Sequence, residues 1–166
     1  MRYGVYLLAA VIGAIGPAQT AAQALEEITV DQAMERIRAT TGRAAVIVFY
    51  KTDCSLSQAM FPSLVAIARE RAATGVAFLV FSVDNEDHKQ AVPGFLAQYS
   101  APFPRVYVRP WSPGTFTRAM ATLGIEAGRT WTVPLVAVRA ADGRIITQAQ
   151  GPTDVSGLSR VLARLR

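Results

Sequence analysis

The chain has 166 residues, of which 51% are hydrophobic and 17% charged, so it has the length of one domain and enough apolar content for a packed core. Seventeen Lys and Arg against twelve Asp and Glu give a formal charge of +5. The basic residues are scattered singly between apolar ones (Arg105, Arg109, Arg118, Arg129, Arg139, Arg144), with no basic stripe interleaved with aromatics, which argues against nucleic-acid binding.

The N-terminus reads as an export signal. Arg2 supplies a positive start, Val5–Ile15 an apolar stretch, and Ala22-Gln23-Ala24 a small-residue cleavage site. The apolar run falls short of the roughly 20 residues a membrane-spanning helix needs. The expectation is a signal peptide over 1–24, cut after Ala24, and a mature domain over 25–166 in a bacterial periplasm or secreted, with no stable membrane insertion. An uncleaved anchor is the competing reading. Cys54 is the only cysteine, and in an oxidising compartment a single thiol has three uses: buried and inert, paired between molecules (a Cys54-linked homodimer), or reactive.

In the mature region, Thr29 and Gln32 have capping-box spacing at the start of an amphipathic helix to about Arg38, with Met34 and Ile37 on one face. Ala44–Tyr50 is a continuous apolar run of strand length. A short polar turn follows, and Ser55–Thr74 has helical period with Met60, Leu64, Ile67 and Ala68 on one side, stopped by Gly75. Val76–Val83 is a second buried strand, and the polar cluster Asp84–Lys89 reads as a solvated turn. Then come a short helix over Gln90–Tyr99, a brief strand Arg105–Val108, a turn Arg109–Gly114 and a helix Thr115–Leu123. Val133-Pro134 opens a strand to Arg139, Asp142-Gly143 turns the chain, Arg144–Gln150 returns, and Thr153 caps a last helix over Asp154–Arg166. Alternating strands and helices imply parallel strands with crossover helices, and the final hairpin makes the sheet mixed, so the fold class is α/β.

A strand that ends in a turn and delivers Cys54 to a helix start is a reactive geometry. Unpaired backbone N–H groups and the helix dipole favour the thiolate there. Ser57, one turn further on, is placed to donate a hydrogen bond to it. Asp53 opposes a second negative charge, and Lys51 offsets part of that. His88, the only histidine, is remote from Cys54 in sequence and speaks against a Cys–His pair. Asp84, Glu86, Asp87 and His88 lack the glycine of a calcium loop and a second ligand cluster, so no metal and no cofactor is expected. Trp111 and Trp131 read as packing or groove residues.

These residues together resemble the thioredoxin superfamily over about Thr29 to the C-terminus. The resemblance rests on the strand–turn–Cys–helix unit Val46–Ser57, Pro62 eight residues after Cys54, Val133-Pro134 at a strand start, and the ending DGRIITQAQGPTDVSGLSRVL. It implies a thioredoxin-like fold: a central mixed sheet flanked by helices, with Pro134 as a cis-proline beside the active site. The longer segment from Asp84 to Ile125 looks like the β-α insertion of the periplasmic, TlpA-like branch. The family's W-C-x-x-C is here Asp53-Cys54-Ser55-Leu56-Ser57, and its buried acid would fall at Val48. The resemblance therefore implies a monothiol, C-x-x-S member. Such a site lacks a resolving thiol but still exchanges with client disulfides through Cys54, with Val133, Pro134 and Asp53 as the substrate-binding wall. Its partners would be thiol- or disulfide-containing proteins, with glutathione a co-substrate that no feature selects. The rival is a redox-inactive binding module that holds a peptide or partner protein in the groove near Pro134.

Overall fold

A computed structural model describes residues 24–109, 112–128, 131–152 and 155–165. Residues 1–23 of the expected signal segment 1–24, Trp111, Arg129 and the cap residue Thr153 lie outside them. Its centre is β2 (Ala44–Tyr50), buried at all seven positions. A strand hidden on both faces has no need of polar alternation, which is why its sequence is a continuous apolar run. β2 runs parallel to β3 (Val76–Ser82) and antiparallel to β5 (Leu135–Ala140), which pairs with β6 (Ile145–Gln150). β4 (Val106–Val108) lies beyond β3, and the six-stranded order is β1-β4-β3-β2-β5-β6.

The first of these strands, β1 (Glu26–Ile28), is not among the sequence expectations. It pairs in parallel with β4, and three residues carry too short a pattern to be read as a strand without their partner. Next comes α1 (Val30–Ala39), started by the expected capping box: Thr29 Oγ1 accepts from Gln32 N–H, and Gln32 Oε1 accepts from Thr29 N–H. α2 (Ser55–Arg71) ends three residues before the expected boundary. The expected solvated turn contains a 3-10 turn, Glu86–Ala91, leading into α3 (Val92–Gln98). α4 (Pro113–Ala121) begins two residues earlier than expected because Pro113, at the first helical position behind the Ser112 cap, opens the helix rather than closing the turn. α5 is Ser156–Arg164.

The pleat of β2 sorts the core into two layers. Val46, Val48 and Tyr50 face α2, α3 and α5, against Phe61, Leu64, Phe95 and Leu158. Ile47 and Phe49 face α1 and α4, against Met34, Ile37, Phe116 and Met120. Helices therefore cover both faces of a mixed sheet. Pro62 lies inside α2, and a proline there leaves the carbonyl four residues back without its helical donor. The Tyr99 hydroxyl donates to that carbonyl, Gln58 O, at 3.4 Å, which ties α2 to the end of α3.

Candidate active site

The site forms where β2 and β3 end. Their register pairs Tyr50 with Ser82, so residues two beyond each, Thr52 and Asp84, emerge side by side. Val83 N–H donates to Tyr50 O at 2.8 Å and fixes the two ends together. Asp84 is only 3% exposed, so it is not part of a solvated turn as the sequence suggested. Its Oδ1 accepts from both Thr52 N–H and Thr52 Oγ1, each at 2.9 Å, and its Oδ2 accepts from Ser82 Oγ at 2.7 Å. These bonds satisfy the buried carboxylate and clamp the turn that carries Cys54. Tyr50, buried beneath, has its phenol pushed up by burial first and by the Asp84 charge second.

Other polar groups of the turn are also engaged. Gln58 Nε2 donates to Thr52 O at 2.8 Å, Cys54 N–H to Lys51 O at 3.4 Å, and Gln58 N–H to Cys54 O at 3.0 Å. Cys54 is the N-cap residue of α2, with φ −87° and ψ 117°, and its side chain makes no capping bond. The half-buried thiol is instead directed to the opposite wall, with Sγ 3.6 Å from Val133 O. The Val133–Pro134 peptide is cis, and Pro134 O accepts from Gly151 N–H at 2.9 Å, which anchors the wall to the end of β6. Val133 N–H donates no hydrogen bond among the described residues.

Ser57 is fully buried at the third position of α2, and its Oγ accepts from Lys51 N–H at 3.4 Å. The hydrogen bond found at Ser57 is thus to the turn backbone and not the expected one to Cys54. Asp53 is exposed and meets His88 across the groove, with Nδ1 3.2 Å from Oδ2. His88, remote in sequence, is therefore a neighbour of the residue beside Cys54. The 3-10 turn that carries it is held by Lys89, which pairs with Glu27 and Glu86, while Tyr107 Oη donates to Glu86 at 3.1 Å. Burial first, and then that hydrogen bond, push the Tyr107 phenol up to about 12. Lys89, in turn, holds Glu86 below the usual carboxylate range.

Asp53, Asp84 and His88 each offer a ligand atom within 4.8 Å of the others, but both Asp84 oxygens and one Asp53 oxygen already have hydrogen-bond partners. Trp131 stacks on Phe116, with ring centroids 4.2 Å apart, and packs on the second core layer. Thr52, Gln58, Asp84 and His88 are site residues that the sequence reading did not assign to the site. Parallel pairing of two adjacent apolar strands was the available signal, since it aligns their C-terminal ends.

The fold has solved counterparts, and a family model matches the sequence. The Redoxin family model matches residues 17–162. A thiol:disulfide interchange protein of the thioredoxin family from Chlorobium tepidum superposes with a TM-score of 0.61 at 21% identity, over 87% of this chain and 94% of its own. A thioredoxin-related protein from Neisseria meningitidis serogroup B gives 0.59 at 15% identity, over 77% and 88%. A secreted Mycobacterium tuberculosis disulfide oxidoreductase homologous to E. coli DsbE gives 0.56 at 21%, over 76% and 84%. No curated protein sequence matches the chain. At these identities the solved structures establish a shared thioredoxin-like fold, and the family model, which spans most of the sequence, establishes membership: this chain belongs to the Redoxin family.

Proposed function

We propose that this protein is an exported monothiol exchange factor that forms mixed disulfides with client proteins through Cys54. One observation carries the reading: Sγ sits at the N-terminus of α2, unused as a cap, against the Val133 carbonyl beside Pro134. The Val133 N–H is a donor for an extended client backbone, so Val133, Pro134 and Asp53 form the substrate wall.

In the exchange step the Cys54 thiolate attacks one sulfur of a client disulfide. The Cys54–client S–S bond forms, the client S–S bond breaks, and the other client sulfur leaves as a thiolate, with no net oxidation. Ser57 stands where a dithiol enzyme would carry its resolving cysteine, so release falls to the client's own freed thiol or to another thiol. The isomerase-like or client-retaining outcome follows from that. Export through a signal over 1–24 to the periplasm belongs to the same reading.

The test is acid-quenched incubation of the protein lacking residues 1–24 with ribonuclease carrying scrambled disulfides. On non-reducing gels a band at the summed mass is expected, lost with dithiothreitol and absent in Cys54→Ser. If the wild-type protein forms no such band, the exchange reading fails. Binding that survives in Cys54→Ser would instead mark a redox-inactive binding module.

A further inference from the structure

Resting on the exchange reading, we infer that the groove between the Cys54 turn and α3 is a subsite for a cationic client side chain placed one or two residues from the client cysteine. The groove has a volume of about 440 Å³ and is contiguous with the active-site turn through Thr52 and Asp53. Its floor is apolar: Phe95 is 7% exposed, Ala91 lies beside it, and a side chain built at Gly94 would meet nothing within 4 Å. Its rim is rich in acceptors. Asp53 presents two carboxylate oxygens, of which only Oδ2 is engaged, by His88. Gln58, with its Nε2 committed to Thr52 O, adds a free carbonyl oxygen, and Gln98 adds an amide.

An aliphatic stem over an apolar floor, with a donor-only head group among acceptors, describes lysine or arginine. The charges around the groove agree. Among the described residues that line it, only His88 can carry a positive charge. Of the two nearby lysines, Lys51 is held by Asn85 at 3.2 Å and Lys89 by Glu27 and Glu86. Asp53, the buried Asp84 and Asp87 beside His88 outnumber Lys51, whose Asn85 partner is neutral, on a chain whose overall charge is +5. Asp53 directly precedes Cys54. Successive residues of an extended client strand are about 3.3 Å apart, so a residue one or two from the client cysteine is the one to test at the groove.

The experiment uses three peptides that differ only in the residue next to their single cysteine: Arg, Gln or Glu. Each is supplied as the mixed disulfide with thionitrobenzoate. Cys54 attacks the peptide sulfur, the Cys54–peptide bond forms, and thionitrobenzoate leaves as a coloured thiolate, with mass spectrometry confirming the adduct. At low salt the Arg peptide is expected to react about fivefold faster than the Glu peptide, the gain of an exposed charge interaction at its upper end. At 1 M salt, where the screening length is about 3 Å, the ratio should approach one. Asp53→Asn should collapse the ratio, His88→Gln should raise it by freeing Asp53 Oδ2, and Gly94→Lys should invert it. Oxidised glutathione, with its carboxylates, should behave like the Glu peptide. Equal rates for all three peptides would overturn the subsite while leaving exchange at Cys54 intact. No adduct with any peptide would overturn both readings.

Discussion

Asp84→Ala tests whether the buried carboxylate is what holds the active-site turn in place. The substitution leaves Thr52 N–H, Thr52 Oγ1 and Ser82 Oγ without the acceptor they share. The two hydroxyls can rotate toward other acceptors, but the Thr52 N–H is fixed by the backbone. Hydrogen bonds to a charged group are worth about 1.5–3 kcal/mol each, and an orphaned buried donor costs about 1–3 kcal/mol. Against this, the variant no longer has to desolvate a carboxylate, a penalty of several kcal/mol per buried ion. The balance is a net destabilisation of about 3 kcal/mol. For a domain of this size that lowers Tm by about 6–12 °C. Asp84→Asn keeps the Oδ1 acceptor for both Thr52 donors and turns an amide toward Ser82 Oγ, which can rotate to accept, so it should lose only about 1 kcal/mol.

Urea unfolding followed by circular dichroism measures both variants. The expected result is a lower midpoint with an unchanged slope, because the surface exposed on unfolding stays the same. The capture rate of a disulfide client should fall further in Asp84→Ala than in Asp84→Asn, since only the former releases the Thr52 end of the turn. An Asp84→Ala protein within 0.5 kcal/mol of wild type would refute the clamp and reassign Asp84 to a bystander.

Further predictions address the site, the alkaline limit and the core. Ser57→Cys, at the buried third position of α2, should form an internal disulfide with Cys54 and turn over in insulin reduction with dithiothreitol. Two free thiols after oxidation would show that Ser57 does not occupy the resolving position. Tyr107, ordinarily near 10 and here about 12, keeps its proton longer folded than unfolded. Its share of stability is therefore complete below about pH 10 and lost as pH rises toward about 12. Tyr107→Phe should lose about 1 kcal/mol at neutral pH and show a shallower alkaline decline in urea titrations. Leu64→Ala, at a fully buried position facing the sheet, should cost about 3 kcal/mol in the same assay.

The parts of the molecule legible in its sequence are those whose signals are local. The all-apolar β2, the capping box at Thr29 and the Asp142-Gly143 turn, where Gly143 takes φ +90° and Asp142 Oδ1 accepts from Arg144 N–H, each carry their own chemistry. β1 carries none, because three residues become a strand only through β4, 80 residues away in register. The same distinction separates Cys54 from its neighbours. The cysteine is legible because a strand, a turn and a helix start are contiguous around it. Asp84 looks like any polar residue after a strand, and burial is decided by the parallel neighbour that aligns Tyr50 with Ser82. His88 reaches Asp53 because Glu27, Glu86, Lys89 and Tyr107 pull its turn against β1 and β4, a network that draws on three separate elements. Ser57 is a further case: its spacing from Cys54 suggested a bond between the two side chains, whereas the bond its oxygen makes, accepting from Lys51 N–H, depends on how the turn folds back over α2. In this fold, then, the position of the thiol is set by adjacent sequence, and its surroundings are set by how strands far apart in the chain are paired.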